Sequence, residues 1–75
     1  MERKLEEWRR RLEEARRIRE EHADWSFIQR QPQPLKAALL YYIKTGDIRI
    51  AARIAQQPIA RFRELLREAN IPTVS

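Results

Sequence analysis

The residues in this chain best suited to chemistry are arginines. Arg49 and Arg53 stand four residues apart, and so do Arg63 and Arg67. That spacing puts each pair on one face of a helix, where a guanidinium can grip a phosphate or reach the acceptor edge of a guanine with two hydrogen bonds. Catalytic chemistry has no comparable material. His22 is the one histidine and the chain has no cysteine, so neither a metal site nor a nucleophile and base pair can be assembled around it. Glu6-Glu7, Glu13-Glu14 and Glu20-Glu21 recur at a heptad interval, but arginines interleave them, which marks a solvated helix face. A lone glycine excludes the usual phosphate-cradling loop. Trp8 and Trp25 are better read as core or interface than as base-stacking platforms. No catalytic residue, metal or cofactor is therefore expected.

Charge is unevenly divided. Up to Asp24 the acids and bases balance, whereas beyond it Arg30, Lys36, Lys44, Arg49, Arg53, Arg61, Arg63 and Arg67 face only Asp47, Glu64 and Glu68, so the whole net charge of +5 lies in the second part. A neutral part joined to a basic part suggests protein contact for the first and a polyanion for the second. A chain of 75 residues buries only about 60–65% of its unfolded surface. With no disulfide to add stability, a partner chain is expected. No apolar run is long enough for a membrane span, and the start Met1-Glu2-Arg3-Lys4-Leu5 has no signal core, so a cytoplasmic location is expected.

Helices must position these groups, and the expected fold is all-α. Residues 2–24 read as one long helix of strong helix formers without Gly or Pro. Leu5, Trp8, Leu12 and Ala15 form a narrow stripe that Ile18, His22 and Trp25 continue with drift, a contact for a second copy or another protein. Glu6 with Arg10, Glu7 with Arg11 and Glu13 with Arg17 are acid-first pairs spaced to support the helix. Residues 25–33, with Pro32 and Pro34, read as a linker pinned by Trp25, Phe27 and Ile28. A domain at 34–75 follows. Leu35, Ala38, Leu39, Tyr42 and Ile43 line one face of a helix starting at Pro34, stopped by Gly46, with Leu40 and Tyr41 left as apolar surface for another helix or subunit. Asp47 caps a helix running to Gln56. Pro58 opens a last helix to Ala69, with Ile59, Phe62, Leu65, Leu66 and Ala69 inward, Asn70 as a left-handed stop, and Thr73, Val74 and Ser75 as a tail.

Two short helices at 47–56 and 58–69, with almost nothing between them and a basic face on each, are the arrangement of a helix-turn-helix. Ala52 is small where the helices would cross, and Phe62 and Leu65 anchor the second helix. Gln56 falls at the turn, where a positive φ is needed and glycine is usual, and Gln57 replaces the usual apolar residue. The expected duplex-facing set is Arg49, Arg53, Gln57, Ala60, Arg63, Glu64 and Arg67. In it the first two hold phosphates, while Arg63 and Arg67 read base edges. The expected partner surface is Leu5, Trp8, Leu12, Ala15, Ile18, Leu40 and Tyr41. A homodimer on DNA would space its half-sites by about 34 Å.

The stretch Ala37 to Val74 resembles a family of small prokaryotic helix-turn-helix antitoxins, above all in Tyr42-Ile43-Lys44-Thr45-Gly46-Asp47-Ile48-Arg49-Ile50-Ala51-Ala52-Arg53-Ile54-Ala55 and Phe62-Arg63-Glu64-Leu65-Leu66-Arg67-Glu68-Ala69-Asn70-Ile71-Pro72. Gly46, the paired Ala51-Ala52 and the terminal Ile71-Pro72 fit it, while Gln56 and Gln57 depart from it. The resemblance implies a cytoplasmic DNA-binding protein that neutralises a co-encoded toxin, often a PIN-domain ribonuclease, and represses its own operon. The N-terminal helix is outside the match. The competing expectation is a helical interaction or coiled-coil module whose basic half only solubilises it, with RNA binding third because neither the aromatic pattern nor the fold matches the common single-strand readers.

Overall fold

In the computed structural model, which describes residues 2–73, five helices follow one another: α1 (Glu2–His22), α2 (Trp25–Arg30), α3 (Leu35–Thr45), α4 (Ile48–Ala55) and α5 (Ile59–Glu68). The tail residues Val74 and Ser75 lie outside the described residues. The fold is all-helical, and no described helix is long and apolar enough to cross a membrane. Its extents of 42 × 23 × 20 Å reflect one long helix running out from a small globule.

The core is built from one face of each shorter helix. Ala38, Leu39, Tyr42 and Ile43 are buried from α3, Ala51, Ala52 and Ala55 from α4, and Phe62 and Leu66 from α5, as their helical spacing predicts. The alanines let α4 pack closely, and it makes extensive contact with both α3 and α5. Tyr42 and Phe62 meet edge to face with ring centroids 6.2 Å apart, which ties α3 to α5. Ile59, assigned by periodicity to the inner face, is the first residue of α5 and is 39% exposed.

Residues 25–30 are helical, where the two prolines had suggested an extended linker. The Asp24 carboxylate accepts from the Phe27 N–H (3.1 Å) and caps α2, and Ile28 is fully buried. The prolines bias only the residues just before them, so Pro32 and Pro34 leave room for this short helix and end it at Gln31. Ala23, Ile28 and Ile71 share one core with residues of α3 to α5. Two hydrogen bonds fasten the end of α1 to the end of α5, Asp24 N–H to the Ala69 carbonyl (2.8 Å) and Asn70 Nδ2 to the His22 carbonyl (3.0 Å).

Arg19 is buried, at 8% exposure, and it fixes the direction of α1. Its Nε donates to the Ile43 carbonyl (2.9 Å) in the last turn of α3, and its guanidinium carbon lies 5.8 Å from the centre of the Tyr42 ring. The partial negative charge at a helix C-terminus and the face of an aromatic ring both favour a cation there. Gly46 makes the room: a Cβ at that position would stand 3.1 Å from Arg19 Nη1, and φ of +73° already disfavours any other residue.

Toward its N-terminus α1 leaves the globule, and every residue from Arg3 to Glu14 is exposed. The acid-first pairs drawn from the sequence do not form there. The one ion pair among the described residues is Arg16–Glu20, with Nε and Oε1 2.9 Å apart and both side chains about half exposed. Fully hydrated side chains on a free helix gain little by closing such contacts.

Replacing Arg19 with Ala removes a charge-assisted hydrogen bond and the ring contact, and should lower stability by about 2 kcal/mol in urea unfolding. Lys should recover less than half of that loss, because its point charge cannot both stack on Tyr42 and donate sideways to Ile43.

Candidate nucleic-acid interface

Each helix of the candidate interface has an end set by a specific backbone device. Gly46 terminates α3 in the left-handed conformation, its N–H donating to the Tyr42 carbonyl (2.7 Å). The next residue, Asp47, accepts from Ile50 N–H (3.1 Å) through its carboxylate and begins α4. Gln56 then ends α4 at φ 57° and ψ 38°, the positive φ expected at the turn despite the absence of glycine. Two bonds stabilise it, from Gln56 N–H to the Arg53 carbonyl and from Gln57 N–H back to the Ala52 carbonyl, both 3.0 Å. Gln57 and Pro58 complete a short connection, and α5 begins at Ile59. The same device recurs at Asn70 (φ 58°), where Ile71 N–H reaches the Leu66 carbonyl (2.9 Å) and the Ile71 side chain is buried.

These ends leave all seven expected duplex-facing residues exposed: Arg49 and Arg53 on α4, Gln57 in the connection, and Ala60, Arg63, Glu64 and Arg67 on α5. None of the four arginines is in an ion pair among the described residues. Their donors are therefore available to an external anion.

The set is not uniform. Gln57 and Glu64 line a shallow surface notch with Leu35, Arg61, Leu65 and Glu68, so these two belong to a flank of mixed charge. Arg63 lies on the Tyr42 side, where its charge is felt at the phenol. Burial pushes the Tyr42 phenol above its ordinary value, and the positive charges of Arg19 and then Arg63 pull it partly back. Glu64 forms no ion pair with Arg67.

The other expected contact residues are not gathered into one surface. Leu5, Trp8 and Leu12 are 62%, 58% and 55% exposed on the free part of α1. Ala15 is half-buried where α1 meets the globule, and Ile18 is exposed but turned off the stripe by its helical position. On α3, Leu40 is exposed while Tyr41 is half-buried against the core. Sequence reasoning missed Arg19 as a structural residue. In periodicity alone it continues the stripe of Leu5, Trp8, Leu12 and Ala15, and its position one heptad beyond Leu12 was the available signal.

No family model matches the chain, and comparison with curated proteins and with solved structures gives no match.

Gln56 holds a left-handed conformation that costs a side-chain-bearing residue about 1 kcal/mol. Changing Gln56 to Gly should raise stability by about that amount in chemical unfolding and leave the exposed arginines where they are. A loss of stability would show that the exposed glutamine side chain contributes an interaction of its own.

Proposed function

We propose that α4 and α5 form a helix-turn-helix that binds double-stranded DNA, and that the chain is a regulator of the antitoxin type. The observation that carries this reading is the exposure of Arg49, Arg53, Arg63 and Arg67, two pairs at helical spacing on consecutive short helices, with no acid among the described residues in an ion pair with them. In this reading α5 enters the major groove and Arg63 and Arg67 reach guanine edges or phosphates. Arg49 and Arg53 on α4 lie over the backbone and set the register. Gln57 and Ala60 flank the entry of α5, and Glu64 contributes only where it accepts from a cytosine amino group. The resemblance of Ala37 to Val74 to antitoxins supplies the setting: a protein that represses its own operator, acts as a homodimer and binds a toxin, with a PIN-domain ribonuclease as the partner to test. Leu40 and Tyr41 on α3 are the proposed surface for the second copy.

A non-DNA interaction module is the second reading, and the bare apolar side chains of Leu5, Trp8 and Leu12 are what favour it. Salt separates the two. With four phosphate-neutralising arginines per copy, the affinity for random-sequence duplex should fall with a log–log slope of about −3.6, roughly a hundred-fold between 50 and 200 mM salt. Arg63→Ala with Arg67→Ala should shrink that slope by about half in fluorescence anisotropy. Indifference to duplex at low salt would refute the regulator reading.

A further inference from the structure

We infer that the free part of α1 is a docking face for an acidic amphipathic helix of another protein and not a seam for a second copy of this chain. This inference is independent of the DNA-binding reading, because it concerns a different helix and different residues.

Leu5, Trp8, Leu12 and Ala15 follow one another at intervals of three, four and three, the spacing of the two core positions of a heptad. The first three are exposed. The stripe also continues an existing contact. Ala15 is half-buried, and Arg19, the next residue in the same register, packs onto the end of α3. The face of α1 that holds the globule therefore runs on, unpartnered, toward its N-terminus.

What borders the stripe identifies the occupant. At 100° per residue, Lys4 and Arg11 flank it on one side and Arg9 and Arg16 on the other, whereas Glu6, Glu7, Glu13 and Glu14 lie farther round the helix. An open notch beside Trp8 is lined by Lys4, Arg11 and, at its outer edge, Glu7. Of the four flanking bases only Arg16 has an acidic partner among the described residues, Glu20. Pairing this face with its own copy sets like charges together in either orientation. In a parallel pair Lys4 meets Arg9 and Arg11 meets Arg16. In an antiparallel pair Lys4 and Arg11 meet each other, and so do Arg9 and Arg16. A helix with the same apolar spacing and carboxylates at the flanking positions meets a complementary charge at all four places, while the acids of α1 stay in water on its far side.

The test uses the full chain and synthetic probes. One probe is a three-heptad amphipathic helix with Leu in its core positions and Glu at every flanking position, and a second carries Lys there instead. A third is vesicles of equal phosphatidylcholine and phosphatidylglycerol. Binding is followed by Trp fluorescence, with Trp25→Phe in the background so that Trp8 reports alone, and the mass of the chain is measured by sedimentation equilibrium. The inference expects the Glu-flanked helix to bind about ten-fold or more tightly than the Lys-flanked one, Leu5→Ser with Leu12→Ser to abolish that binding, and Lys4→Glu with Arg11→Glu to weaken it while circular dichroism stays unchanged. These positions are exposed and outside the core, so the variants keep the fold. The inference is overturned if the Glu-flanked helix does not bind, if both helices bind equally, if only the vesicles bind, or if the chain is a dimer whose mass halves on Leu5→Ser with Leu12→Ser.

Discussion

A guanidinium withdrawn from water needs something to replace its hydration, and Arg19 is in no ion pair among the described residues. Its replacement is the C-terminal end of α3: the Ile43 carbonyl, the face of Tyr42 and the bare backbone at Gly46. That one contact joins elements distant in sequence. It sets the direction in which α1 leaves the globule, and it favours the left-handed residue that turns the chain out of α3. It also places Asp47 to cap α4. A helix end carries unpaired carbonyls and a partial negative charge, so it suits a cation that must be buried. The apolar core around Phe62, Leu39, Ile28 and Leu66 packs the same helices together.

The second constraint is closeness. Ala51, Ala52 and Ala55 give α4 a nearly smooth inner face, so α3 and α5 can both approach it. Short helices held this way need sharp ends, and three left-handed residues provide them: Gly46, Gln56 and Asn70. Only the first is glycine. At Gln56 and Asn70 the strain of a positive φ is offset by a backbone N–H that reaches back five residues and satisfies a carbonyl at the helix end.

Much of this was legible in the residues. The inner faces of α3 and, apart from Ile59, of α5, the stops at Gly46 and Asn70, the cap at Asp47 and the positive φ at Gln56 all follow from local rules of spacing and capping, which act within one or two turns. The misreadings occur where tertiary contacts decide. Trp25 to Arg30 lies between a capping aspartate and two prolines, and only the space awaiting Ile28 in the core resolves that conflict in favour of a helix. Arg19 looks like any exposed arginine on a charged helix until α3 ends beside it. The candidate interface was legible as a list of exposed residues. That Gln57 and Glu64 share a notch with Leu35, Arg61 and Glu68 was not, because that depends on what the neighbouring helices present.

The central proposition is that four guanidinium groups on α4 and α5 meet a duplex together. It is tested most directly by titrating nitrogen-15-labelled protein with duplex DNA at low salt and following the arginine Nε–Hε resonances one by one. The account predicts that Arg49, Arg53, Arg63 and Arg67 shift together, while buried Arg19 and the arginines of the free part of α1 stay unmoved. Shifts concentrated on Arg9, Arg10 and Arg11, or spread evenly over every exposed arginine, would contradict it.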